Sequence, residues 1–171
     1  MNRRNAIKNI GLTAGTVISL PAWMISCGIA DKEIHHSGFS SAQQKILAAI
    51  ADTIIPAGTS IGALTVETDK YLQKIIDDCY EATVQENVKK QLALIDKHAN
   101  ENLGKNFTEC SQHEREELLL KFADSQNKDE KDFFTLMKTE TIRGFNTSQK
   151  VMEEFLGYKI APGHYSGCVP V

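Results

Sequence analysis

From residue 40 onward, apolar residues recur every three or four positions along most of the chain, which is the spacing of amphipathic helices. The first predicted helix opens at a capping box formed by Ser40 and Gln43 and stops at Pro56, which cannot continue the hydrogen-bond ladder. Its apolar face consists of Ile46, Leu47, Ile50, Ile54 and Ile55. We expect this helix to lie at the centre of the core.

The same spacing predicts five further helices. They cover 67–79, about 83–103, a segment that opens at a capping box on Ser111, about 133–146, and a short last segment capped by Asn146 or Thr147. A charged break over 124–130 precedes the fifth helix. Only 11 glycines and 4 prolines occur in 171 residues, so the turns of a strand-rich fold are scarce. The sequence therefore predicts an all-α fold, a single compact bundle of about six helices.

One segment between predicted helices consists of small residues and is flexible and nearly uncharged. It runs from Ala57 to Leu64 and directly follows Pro56. Such a segment either connects two helices or lies over the surface of another protein. If it binds a partner, the expected contacts are Pro56, Ile61 and Leu64.

The C-terminal tail over 157–171 has an unusual composition for a disordered terminus. It contains two tyrosines, two prolines, three glycines and a cysteine. This composition favours an extended segment held at specific points, so we expect the tail to pack back across the helices. Tyr158, Tyr165 and Val169 are its expected partner-binding side chains.

Residues 1–26 have the layout of an export signal. Basic residues that include Arg3 and Arg4 precede an apolar stretch diluted by small polar residues, as in a twin-arginine signal. Asn2 and Ala6 depart from the usual twin-arginine pattern, so general secretory export is the alternative. Either route leads to the periplasmic side of a bacterial envelope.

The apolar stretch ends in Met24-Ile25-Ser26-Cys27, which resembles a lipobox. Lipidation of Cys27 would anchor the chain in the inner or outer membrane. A transmembrane helix is the alternative, but the stretch is short and contains Pro21. The expected organisation is a signal over 1–26, a polar flexible tether over 27–38 and a helical domain over 39–171.

No recognised catalytic or metal-binding motif occurs in the chain. The net charge of −3 offers no basic surface for nucleic acid, and the paired carboxylates lie where solvated helix faces are expected. Asp52 is the exception, because it interrupts an apolar helix; we expect it to pair with Arg143 or to cap the following loop. Cys79 and Cys168 are the expected disulfide, the alternative being that all three cysteines beyond Cys27 are reduced and buried.

Several segments together resemble the gluconate 2-dehydrogenase subunit 3 family. The resemblance spans nearly the whole domain, and its first and last motifs are specific in combination. The segments are Ala48-Ala49-Ile50-Ala51-Asp52-Thr53-Ile54-Ile55-Pro56, Asp78-Cys79-Tyr80, Phe133-Phe134-Thr135-Leu136-Met137-Lys138, Gly144-Phe145-Asn146-Thr147-Ser148 and Pro162-Gly163-His164-Tyr165-Ser166-Gly167-Cys168-Val169-Pro170.

The resemblance implies a non-catalytic helical partner of a large flavoprotein of the glucose-methanol-choline type. In such complexes the large subunit holds FAD and oxidises a sugar or polyol, and a cytochrome c subunit or another carrier takes the electrons. The small subunit, with no cofactor of its own, is thought to help the large subunit fold and to carry it through twin-arginine export. The alternative function is a free-standing envelope lipoprotein that acts as a binding or scaffold module.

Overall fold

A computed structural model describes residues 37–159 and residue 163, and this part of the chain is helical with no strand. It confirms the predicted all-α bundle of six helices. Two 3-10 turns, Ala63–Val66 and Phe107–Glu109, lie between helices. The helices are α1 (Ser41–Ile54), α2 (Thr68–Cys79), α3 (Ala82–Leu103), α4 (Gln112–Asp124), α5 (Lys128–Asn146) and α6 (Gln149–Glu154).

Local sequence signals determine most helix ends. Both predicted capping boxes form, on Ser40 at the start of α1 and on Ser111 at the start of α4. Two predicted boundaries were wrong. The charged break is shorter than expected because Asn127 caps α5, its side chain accepting from the backbone N–H of Asp129. The last helix is preceded by Ser148 rather than by Asn146 or Thr147, since α5 continues through Asn146.

Helix α1 is the centre of the core, as its apolar face predicted. It packs against α2, α3, α4 and α5, and buries Leu47 and Ile50 completely. The cluster around it draws on every helix from α1 to α5. Its largest fully buried apolar members are Leu47, Ile50, Ile76, Leu92, Ile95, Phe107, Phe133 and Met137.

The predicted pairing of Asp52 with Arg143 was wrong. Asp52 instead accepts a hydrogen bond from Arg115 on α4, with 3.1 Å between Oδ2 and Nη2. Arg115 also donates to the Ala49 carbonyl of α1, so this ion pair joins α1 to α4. Arg143 lies on the α2 side of α5 and pairs with a different carboxylate, which the sequence did not single out.

Over the described part of the chain, no helix has the length and apolar character needed to cross a bilayer.

Candidate partner-binding end of the bundle

Helices α1 and α2 are antiparallel, so the loop between them lies at one end of the bundle. The backbone N–H of Ala63 donates to the Ile55 carbonyl at 2.9 Å and closes the loop at its base. Beyond that closure the backbone turns back sharply and brings Gly62 against Ala57. The approach is so close that a Cβ on Gly62 would lie 2.4 Å from the Ala57 backbone nitrogen. Pro56 to Ser60 are all exposed. The result is a compact uncharged loop that projects from the bundle.

The loop continues into a 3-10 turn whose side chains point in opposite directions. Ala63 is completely buried and packs with Ala51 and Leu72, whereas Leu64 is 43% exposed. Ile61 is half-buried. The turn, which was expected to be irregular loop, thereby fixes the loop on the bundle and leaves Leu64 accessible to a partner.

Helices α5 and α6 add further apolar surface to the bundle. The 3-10 turn and α6 both pack against α5, and Ile142 in the last turn of α5 is exposed. The segment after α6 exposes Phe155, Leu156 and Tyr158, the last at 51%. We call the region formed by the loop, the start of α2, the end of α5 and α6 the loop end of the bundle. These exposed apolar side chains make the loop end a candidate protein-binding surface.

Directly beneath the loop end, a buried carboxylate joins α2 to α5. Glu140 is 2% exposed and accepts hydrogen bonds from the Tyr71 hydroxyl at 3.1 Å and the Tyr80 hydroxyl at 2.9 Å. Arg143, one helical turn along, donates to the same carboxylate at 2.9 Å. The arginine balances the buried charge while its own side chain remains 58% exposed. The four residues form a hydrogen-bonded cluster, which we call the α2–α5 seam.

Gly144 brings the two helices of the seam into close contact. It lies one turn beyond Glu140 and faces Tyr71, where a Cβ would approach the aromatic ring to 2.4 Å. Only a glycine at this position allows α2 and α5 to lie so close together. At this distance between the helices, the Tyr71 hydroxyl can reach the Glu140 carboxylate. The seam is thus built from packing and hydrogen bonding together.

The seam makes stability sensitive to alkaline pH. Burial, reinforced by the Glu140 carboxylate, raises the pKa of both Tyr71 and Tyr80. In the unfolded chain these tyrosines ionise near pH 10, and in the folded chain only at higher pH. The folded state therefore binds more protons than the unfolded state in that pH window. The contribution of the two tyrosines to the free energy of unfolding is fully present below about pH 10 and decreases as the pH rises above it.

We expect the variant Tyr71→Phe to lose stability at neutral pH, by about 1.5 to 3 kcal/mol for a hydrogen bond to a charged group, and to show a shallower decline above pH 10. Urea unfolding at pH 7 and at pH 10.5 measures both effects. Tyr158→Phe, at an exposed tyrosine outside the seam, is the control and should behave as the wild type. An unchanged alkaline decline in Tyr71→Phe would contradict this assignment.

The structure locates only some of the residues predicted from sequence. Pro56, Ile61, Leu64 and Tyr158 lie at the loop end, whereas the other predicted residues fall outside the described ones: Arg3, Arg4, Cys27, Tyr165, Cys168 and Val169. The packing of the tail beyond Lys159 therefore stays a prediction.

The predicted disulfide likewise stays a prediction, because Cys168 is not among the described residues. Cys79 is exposed at the end of α2. Cys110 is buried, donates weakly to the Asn106 carbonyl, and has its thiol pKa raised by burial. Among the described residues, no three His, Cys, Asp or Glu side chains are grouped closely enough to hold a metal ion.

Comparison with known families identifies the domain. A family model described as gluconate 2-dehydrogenase subunit 3 matches residues 41–163. The chain belongs to the gluconate 2-dehydrogenase subunit 3 family. No curated protein and no solved structure matches it significantly. The family confirms the resemblance seen in the sequence motifs.

Two of the motifs that carry the gluconate 2-dehydrogenase subunit 3 resemblance meet at the α2–α5 seam. Tyr80 comes from the second motif and Gly144 from the fourth. Sequence reasoning missed Glu140 itself. A signal was present, since Glu140 continues the helical spacing of Phe133, Met137 and Gly144 on the buried face of α5.

Proposed function

We propose that this chain is the non-catalytic small subunit of a FAD-dependent sugar or polyol dehydrogenase, and that it supports folding, export and membrane attachment of the large subunit. The observation that carries the proposal is the loop end, where a closed, uncharged loop and exposed apolar side chains lie together on a member of the gluconate 2-dehydrogenase subunit 3 family. The partner in this proposal is a flavoprotein of the glucose-methanol-choline type, which holds the FAD. A cytochrome c subunit or another carrier completes electron transfer.

The composition of the loop end suits such a partner. Apolar side chains projecting from a rigid base bind with little loss of conformational entropy, because their backbone is already fixed. Leu64 is held in this way by the buried Ala63 next to it and by the hydrogen bond between Ala63 and Ile55. Leu64 is therefore the side chain whose replacement should weaken binding most among the described residues of the loop.

Export and attachment come from the N-terminal segment in this proposal. The paired Arg3 and Arg4 direct the chain to the twin-arginine route, which carries folded proteins and so allows a bound large subunit to travel with it. Lipidation of Cys27 then holds the complex on the periplasmic side of the envelope, in the inner or outer membrane. Replacing Arg3 and Arg4 by lysine tests the first step, since both subunits should then remain in the cytoplasm.

We expect Leu64→Asp to weaken binding of the large subunit by about tenfold, or about 1.4 kcal/mol, because it places a charge in an apolar contact. Leu103→Asp is a matched control, since Leu103 is similarly exposed, 37% against 43%, but lies at the end of α3. Co-expression with a flavoprotein of the glucose-methanol-choline type, followed by pull-down and binding titration, measures the difference.

Equal loss of binding in the Leu64 and Leu103 variants would show that the loop end is not part of the interface. Normal maturation and export of the flavoprotein without this chain would contradict the accessory role itself. In that case the free-standing lipoprotein, acting as a binding or scaffold module, becomes the better explanation.

A further inference from the structure

A groove lies between the first halves of α3 and α5, on the surface of the bundle. It has a volume of about 280 Å³. Its apolar floor is the edge of the main core, where Val88 and Phe133 are buried and Val84 and Leu136 are half-buried. An apolar side chain of another protein would therefore extend the core if it entered this groove.

Hydrogen bonds fix the walls of the groove. The Asn87 side chain of α3 donates to the Asp129 carbonyl of α5 at 3.1 Å, so the two helices are joined across it. Gln91, one turn further along α3, is 1% exposed and donates from Nε2 to Asn87 Oδ1 at 3.0 Å. The Gln91 Oε1 atom has no hydrogen-bond partner among the described residues. The groove is thus preformed, with an unpaired buried acceptor beside one wall.

The rim of the groove is acidic. Asp129 and Asp132 line it, and neither forms an ion pair with a described residue. Asp129 lies in the first turn of α5, where the helix dipole favours a carboxylate, but Asp132 lies beyond that turn. No lysine or arginine of the described chain lines the groove. An apolar floor with such a rim is complementary to an apolar side chain that neighbours a lysine or arginine.

One stripe of α5 connects the groove to the loop end. Asp129, Asp132, Leu136, Glu140 and Arg143 follow one another at intervals of three or four residues, so they share a face of the helix. The first three line the groove, Glu140 belongs to the α2–α5 seam, and Arg143 lies in the last turn of α5. The stripe is about 21 Å long at 1.5 Å per residue. A single large partner can therefore cover both the groove and the loop end.

We propose that the large subunit inserts an apolar side chain into this groove and places a neighbouring lysine or arginine against Asp129 and Asp132. This inference rests on the proposed function and adds a second contact to the one at Leu64. The loop end supplies an apolar contact, and the groove supplies a contact that selects for positive charge. Together they fix the orientation of the partner along α5.

Removing the two charges tests the groove. Asp129→Asn combined with Asp132→Asn keeps the side-chain volumes nearly unchanged. We expect it to weaken binding of a flavoprotein of the glucose-methanol-choline type about fivefold at about 0.05 M salt, and by less than about twofold at about 0.5 M, because salt screens exposed charge pairs. Glu116→Gln combined with Glu117→Gln removes two exposed charges from α4 and is the matched control, with no expected change. Urea midpoints equal to that of the wild type establish that both variants are folded.

A cross-link identifies what occupies the groove. A photoactivatable amino acid at position 83, where Thr83 is exposed at the groove, should cross-link to a segment of the large subunit that contains an apolar residue next to a lysine or arginine. Tandem mass spectrometry locates that segment. Position 101, exposed near the other end of α3, is the control and should not cross-link to it.

The results separate this inference from the proposed function. Wild-type binding by the Asp129 and Asp132 variant, while Leu64→Asp remains weak, would overturn the groove contact alone. A complex that forms without a cross-link at position 83, or with one to a segment that has no basic residue, would do the same. Absence of any binding between the flavoprotein and the wild-type chain would overturn the proposed function and the groove contact together.

Discussion

Replacing Glu140 by alanine is expected to lower the free energy of unfolding by about 3 kcal/mol. Two tyrosine hydroxyls on α2 lose hydrogen bonds to a charged acceptor, each worth about 1.5 to 3 kcal/mol. Relief of the desolvation of the buried carboxylate offsets part of that loss. The contribution of Arg143 is small, since an arginine that is 58% exposed is well solvated without its partner.

Urea unfolding of the purified chain at pH 7 measures this effect. Glu140→Gln keeps the volume and one acceptor oxygen, so it should lose about half as much as the alanine variant. Glu116→Ala removes an exposed glutamate from the middle of α4 and serves as the matched control, with an expected change within about 0.5 kcal/mol. Equal stability of the Glu140 and Glu116 variants would show that the seam does not hold α2 on α5.

Replacing Gly144 by valine is expected to cost about 2 to 3 kcal/mol. A Cβ there meets the Tyr71 ring at 2.4 Å, and the ring is held by its hydroxyl on Glu140, so it cannot move aside without losing that hydrogen bond. Overpacking of this kind typically costs about 1 to 3 kcal/mol. The better helix propensity of valine over glycine returns only about half a kcal/mol.

Gly58→Ala is the matched control for this substitution. No atom lies within 4 Å of a Cβ at Gly58, so the change should be close to neutral. A double variant, Gly144→Val with Tyr71→Ala, sharpens the test because it removes the ring that the new side chain strikes. Its loss should be smaller than the sum of the two single losses. Strict additivity would mean that the glycine is required for another reason.

The seam also connects stability to the proposed interface. Tyr71 and Gly144 lie at the loop end, where the 3-10 turn that carries Leu64 packs against α5. A shift of α2 relative to α5 would therefore displace the loop as well as weaken the core. For this reason we expect Gly144→Val to reduce binding of the large subunit more than its folded fraction alone explains.

Local patterns in the sequence determined the all-α class, the order of six helices and most of their ends. They sufficed because helical spacing, capping boxes and Pro56 act within a few residues of the chain. The family motifs pointed likewise to the gluconate 2-dehydrogenase subunit 3 family, which the family model confirms. The charged break was predicted too long because Asn127 caps α5 within it, and the last cap was misplaced because α5 continues through Asn146.

Only the tertiary structure decided which charged side chains pair. Asp52 pairs with Arg115 rather than Arg143, and Glu140 collects two tyrosines that are more than fifty residues away in the chain. The hydrogen bond from the Gly38 backbone N–H to the Asp77 carboxylate also joins residues far apart in the chain, at a separation of 39 positions. The physical reason is that spacing along one helix defines which face is buried but not which neighbour covers it. The ion pairs, the α2–α5 seam and the position of the loop end all depend on how the helices pack.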